Sequence, residues 1–95
     1  MNKIESEKSV EKKLNSEIKR IGGLSIKLVA TYFIGLPDRL CLLPKGRLFF
    51  VELKTTNKKP RKIQIAVHNK IISLGFDVYV IDSTEKIKSL IHRYE

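Results

Sequence analysis

Apolar residues recur at Val10, Leu14, Ile18 and Ile21, at spacings of four, four and three, which marks one side of an amphipathic helix from about Ser9 to Ile21. Gly22-Gly23 ends it. From Leu24 to Val29 the pattern switches to alternation, with Leu24, Ile26 and Leu28 against Ser25 and Lys27, as in a strand. Thr31 to Leu36 reads as a loop carrying the bulky Tyr32, Phe33 and Ile34, which could pack beneath the hairpin, contact nucleic acid or meet another subunit, packing being the reading preferred. Two apolar runs, at about 38–44 and 47–54, flank Lys45-Gly46 and predict a β-hairpin turning on a glycine suited to positive φ. Pro60 suits the first turn of a second helix that runs to about Leu74 and stops at Gly75. Its core stripe is Ile63, Val67, Ile71 and Leu74, with Gln64 at the margin. Phe76 to Ile81 is almost wholly apolar, as expected of a strand buried on both faces, and the helix crossover before it implies parallel pairing. A last helix places Ile87, Leu90, Ile91 and Tyr94 on one side, with Asp82 and Glu85 as a capping pair. The predicted fold is α/β: a small mixed sheet flanked by helices in the order αβββαβα.

Ninety-five residues make one domain, 1–95, of marginal size, for which self-association is a natural supplement. Ile65 and Ile72, on the expected wet side of the second helix, suggest where a second subunit could sit. Nineteen Lys and Arg against ten Asp and Glu give a net charge of +9, which favours a polyanionic partner. The lone Cys41 excludes an intrachain disulfide or a cysteine zinc cage and reads as a small core residue. His68 and His92 have no partner at metal-binding spacing and read as structural. No apolar run reaches the length of a membrane span, and the first nine residues are a charged lead-in expected to fray.

The chemistry concentrates in the hairpin. Alternation along the strand puts Glu52 and Lys54 on one side and Leu53 on the other. Closing the hairpin at Lys45-Gly46 brings Asp38, which opens the facing strand, to the same end. Two carboxylates and an ammonium then converge, an arrangement that suits a hard divalent cation such as Mg²⁺, with the amine placed to offset charge on a phosphate. Glu11 falls at the edge of the first helix's apolar stripe, and either a nearby lysine or a metal site could satisfy it. Glu7 lies one turn earlier. The basic loop Lys58, Lys59, Arg61 and Lys62 follows the strand end directly and is placed to track a phosphate backbone.

Pro37-Asp38 followed by Glu52-Leu53-Lys54 resembles the signature of the PD-(D/E)XK nuclease superfamily. The wider text, Gly35-Leu36-Pro37-Asp38-Arg39, then Phe50 to Lys54, Lys59-Pro60 and Gln64, resembles its VRR-NUC branch of small phage and bacterial proteins, from about Glu11 to Asp82. The resemblance implies the restriction-endonuclease-like core and a Mg²⁺-dependent nuclease, with Mn²⁺ able to substitute. It implies that Asp38, Glu52 and the Leu53 backbone carbonyl hold the metal and that Glu11 completes the acidic cluster, with Glu7 the alternative. It implies that Lys54 positions water and stabilises charge, and that Gln64 holds Lys54, water or phosphate. Arg39 joins the basic loop as a DNA contact. The resulting expectation is a homodimeric endonuclease acting on branched DNA such as Holliday junctions, in replication, repair or recombination, in the cytoplasm and without a membrane partner. The competing classes are a non-catalytic basic DNA-binding module and a nuclease subunit that needs a targeting partner.

Overall fold

The structure, a computed structural model, describes residues 4–95. Its elements are α1 (Glu7–Arg20), β1 (Leu24–Lys27), β2 (Arg39–Leu43), β3 (Arg47–Leu53), α2 (Lys62–Ser73), β4 (Val78–Ile81) and α3 (Thr84–Tyr94), with a short 3-10 turn at Pro44–Gly46. The predicted order αβββαβα is the observed one. The strands lie side by side as β1-β2-β3-β4. β1 and β2 pair antiparallel, as do β2 and β3, and β4 runs parallel to β3, as the helix crossover requires.

The stripe read on the first helix is the core side of α1. Val10, Leu14 and Ile18 pack with Cys41, Phe49, Val51, Leu53 and Ile81 from one sheet face and with Ile87, Leu90 and Ile91 of α3. Each large side chain buried there contributes about 1.5–3 kcal/mol. α1 starts two residues before Ser9 because Ser6, not Ser9, is its cap: Ser6 Oγ accepts from Ser9 N at 3.1 Å. The frayed lead-in expected over residues 1–9 falls partly outside the described residues. From Glu5 onward the chain is tied down, with Glu5 N donating to Thr56 Oγ1 at 2.7 Å and Thr84 N to the Glu5 carboxylate at 2.9 Å. The hairpin turn spans three residues rather than two, with Lys45 (φ 68°) and Gly46 (φ 71°) both left-handed.

On the other sheet face the sequence expectations need correcting. α2 does not bury its isoleucines. Ile63 is 45% exposed and Leu74 62%, while the buried residues of this helix are Gln64 and His68. The hydrophobic period was real, but the face turned to the sheet is set by Glu52, which needs polar partners when buried. β4 is an edge strand and not buried on both faces: Val80 and Phe76 remain 39% and 43% exposed. Pro60 lies before the cap residue Arg61 and not within the first turn of α2. α3 is capped by Ser83, whose Oγ accepts from Lys86 N, and Asp82 instead pairs with Lys86 Nζ at 2.8 Å. Tyr32, Phe33 and Ile34 do not pack under the hairpin; Tyr32 is fully exposed.

Candidate active site

Asp38 reaches the site because two backbone devices fix the chain before it. Gly35 (φ +96°) presses against α2, where an added Cβ would stand 2.7 Å from Val67 Cγ2 and 2.9 Å from the Ile63 carbonyl oxygen, so only glycine fits. Beyond it Leu28 N donates to the Asp38 carbonyl at 2.8 Å, which continues the β1–β2 ladder by one step. The Asp38 carboxylate then accepts from Leu53 N through Oδ2 at 2.7 Å, which joins the two mouths of the hairpin. Leu53 is thereby held with its backbone at the cleft that Asp38 also lines, an open space of about 390 Å³ shared with Glu7, Lys8, Glu11 and Lys27.

Glu52, the neighbour of Leu53 on β3, is not among the residues lining that cleft and is 1% exposed. Its Oε2 accepts from Lys54 Nζ and from Gln64 Nε2, both at 3.0 Å. Gln64 Oε1 in turn accepts from Lys54 Nζ at 3.1 Å and from Arg61 N at 2.8 Å. Glu52, Lys54 and Gln64 therefore form a closed triangle, and its last bond ties it to the end of the basic loop. Burial pushes the Glu52 carboxyl above its ordinary range; the bonded Lys54 ammonium opposes this, and the Asp38 and Glu7 charges add to it.

His68, read from the sequence as an isolated structural histidine, is buried against the same carboxylate. Its Nε2 stands 3.7 Å from Glu52 Oε1. Burial, and next the Lys54 charge, lower its pKa, so the imidazole is held neutral. The spacing of four from Gln64 was the available signal, since it places both residues on one side of a helix. His92 is exposed, as a structural surface residue would be.

The structure brings together Asp38, Glu52, Lys54, Gln64 and the Leu53 backbone. Glu11 lines the cleft but is bound to Arg39, whose Nη2 and Nε donate to Glu11 Oε2 at 3.0 and 3.2 Å. Arg39 is thus a brace between α1 and β2 with a side chain only 13% exposed, not an open cation. Glu7, one turn earlier and on the same cleft, is the α1 carboxylate whose charge reaches Glu52. Lys58, Lys59, Arg61 and Lys62 all face solvent.

Among the described residues no group of three or more His, Cys, Asp or Glu side chains is placed to hold a metal ion, and Asp38, Glu52 and the Leu53 carbonyl offer oxygen atoms alone. That donor set does not suit zinc. It suits Mg²⁺, which takes one or two carboxylates and keeps waters or phosphate oxygens in its other positions. The buried Glu52 carboxylate, within reach of the Asp38 and Glu7 charges, points the same way.

No family model matches the chain. It is 43% identical over 79 residues to the "Putative nuclease p44" of Acyrthosiphon pisum secondary endosymbiont phage 1, an alignment covering 83% of this chain and 85% of that protein. Its fold superposes on a solved structure described as a VRR_NUC domain with a TM-score of 0.86 and 32% identity, over 96% of this chain and all of the other. Fold and site define a small α/β nuclease core. The chain belongs to the VRR-NUC family. Among the described residues no helix is long and apolar enough to cross a membrane.

Proposed function

We propose that the protein is a Mg²⁺-dependent DNA endonuclease that hydrolyses phosphodiester bonds, with a preference for branched or otherwise non-duplex DNA. The observation that carries this reading is the buried Glu52, coupled through Oε2 to Lys54 and Gln64 and within reach of the charges of Asp38 and Glu7, which line the neighbouring cleft. A purely structural carboxylate would not be buried beside Asp38 and within reach of Glu7, where each negative charge disfavours the next. Asp38, Glu52 and the Leu53 carbonyl are the groups that would hold the cation, with Glu7 favoured over Glu11 as the helix α1 contribution. When bound, the cation supplies Lewis-acid stabilisation of charge at the phosphate. Lys54 keeps one hydrogen beyond those engaged by Glu52 and Gln64, and directs it at a phosphate oxygen or the attacking water. Gln64 fixes the position of that ammonium. The exposed Lys58, Lys59, Arg61 and Lys62 hold the backbone on either side through sequence-independent contacts, so affinity falls steeply with salt.

Preference for non-duplex DNA rests on Tyr32 and Phe33, exposed at the tip of the loop that leads to Asp38. Rings displayed in this way stack on unpaired bases. The test is cleavage of a four-way junction, a flap, single strand and plain duplex with Mg²⁺ or Mn²⁺, using Asp38→Ala as the control. We expect cleavage that is strongest on the substrates with unpaired bases, the flap and the single strand, and absent in Asp38→Ala. Binding to all four DNAs without any metal-dependent cutting would instead make the chain a DNA-binding module or a subunit that needs a partner.

A homodimer is part of the same proposal. Ile65 and Ile72 are 46% and 50% exposed on α2, and Leu74, Phe76 and Val80, which follow in the chain, are exposed as well. So much open apolar area on a small domain marks an interface. Light scattering at micromolar concentration should give twice the 10.9 kDa chain mass, and Ile72→Lys should give a monomer. A wild-type monomer under those conditions would remove the dimer from the proposal.

A further inference from the structure

Among the described residues only two buried side-chain atoms lack a hydrogen-bond partner, Glu52 Oε1 and His68 Nε2, and they face each other. Their separation, 3.7 Å, is too long for a hydrogen bond. It is also short for a bridging water, which with two ordinary hydrogen bonds would hold its partners roughly 4.5 Å apart. A shift of roughly 0.7 Å by either side chain brings Nε2–H to Oε1 at bonding distance, with the imidazole in its Nε2–H tautomer. Two unsatisfied buried polar atoms facing each other on rigid elements mark an arrangement that closes in another state of the site.

We infer that His68 is a positioning residue for Glu52: its Nε2–H takes Oε1 when the cleft receives its cation, completing a set of donors that already includes Lys54 and Gln64 on Oε2. With both oxygens held, the carboxylate has one orientation, and the cation meets a ligand that has no rotamer freedom left to lose. His68 and Gln64 occupy successive turns of α2, so a single helix sets both sides of the Glu52 carboxylate. This explains why the inward side of α2 is polar while Ile63, Ile65 and Ile72 stay exposed. The inference rests on the nuclease reading, because it assigns Glu52 to a metal.

The test measures Mn²⁺ affinity separately from stability, by thermal unfolding of the full chain in EDTA and across an Mn²⁺ titration. His68→Leu removes the donor at similar volume; His68→Gln keeps one. In EDTA the leucine variant should be at least as stable as wild type, since it removes an unsatisfied buried nitrogen. Its apparent Mn²⁺ dissociation constant should rise about 10–100-fold, the usual cost of losing a group that orients a ligand, while His68→Gln stays within a few-fold of wild type. If the leucine variant does not fold, His68→Asn, whose donor falls short of Oε1, should show the same loss. Wild-type Mn²⁺ affinity in His68→Leu or His68→Asn would overturn the inference, as would an equal loss in His68→Gln. A wild-type protein with no Mn²⁺-linked shift would overturn the nuclease reading itself, and that result is seen before any variant is compared.

Discussion

Replacing Glu52 by glutamine should abolish cleavage and, in the absence of metal, make the protein more stable at neutral pH. Glutamine keeps the shape of the side chain and an oxygen for Lys54 and Gln64 to donate to, so the triangle around Oε2 survives. What it loses is the charge. A rate loss of at least about 10²–10³-fold is expected from deleting one preorganised electrostatic group. The stability effect has the opposite sign because burial, reinforced by Asp38 and Glu7, raises the Glu52 carboxyl above its ordinary 4.5. A group that holds its proton more tightly when folded contributes stability that is complete below pH 4.5 and is lost as the pH rises through the raised value. Wild-type protein in EDTA should therefore lose stability across that window, whereas Glu52→Gln should not. Near neutrality the variant's Tm should lie above wild type by roughly 2–6 °C, the shift that a fraction of a kcal/mol to about 1 kcal/mol gives a domain of this size. A scanning experiment from pH 4 to 8 reads the difference directly. A Glu52→Gln protein that is both inactive and less stable would assign the carboxylate to the fold rather than to a metal.

That trade-off also explains what was legible in the sequence. Hydrophobic period carried the core: Val10, Leu14 and Ile18 on α1 and Ile87, Leu90 and Ile91 on α3 are buried where the pattern put them. The hairpin mouth was legible because alternation and turn position together fix which side chains meet, and the Asp38–Leu53 bond joins the predicted ends. α2 defeated the same rule. Its stripe of Ile63, Val67, Ile71 and Leu74 suggests burial, but a helix facing a buried carboxylate presents Gln64 and His68 to it and leaves Ile63 and Leu74 exposed. Period alone cannot tell a core stripe from a subunit-facing one. The Arg39–Glu11 pair, on which the proposed preference for Glu7 rests, was equally out of reach, since its partners stand 28 positions apart in the chain.

Lys54→Met should lose cleavage by about 10²–10³-fold and, unlike Glu52→Gln, should leave the metal-free protein markedly less stable. The ammonium is the one cation bonded to Glu52 in the described structure, 3.0 Å from Oε2, and the carboxylate is 1% exposed. Removing one member of a buried pair strands the other, at a cost of roughly 3–5 kcal/mol; partial exposure of the Lys54 side chain puts this variant toward the lower end. Divalent metal then changes the outcome. If a cation enters beside Glu52, it supplies the positive charge that methionine has taken away, so the Mn²⁺-linked rise in Tm should be larger in Lys54→Met than in wild type. The gain follows from linkage: whatever binds the folded state alone stabilises it, and a carboxylate without its ammonium binds the cation more tightly. Activity should not return with stability if Lys54 acts as proposed, because methionine has no hydrogen to direct at the phosphate. Unfolding curves in EDTA and in Mn²⁺, set beside cleavage by the same samples, separate the two roles of this lysine. Equal metal-linked shifts in variant and wild type would place the cation away from Glu52. A variant that regains both stability and cleavage would reduce Lys54 to a counter-ion.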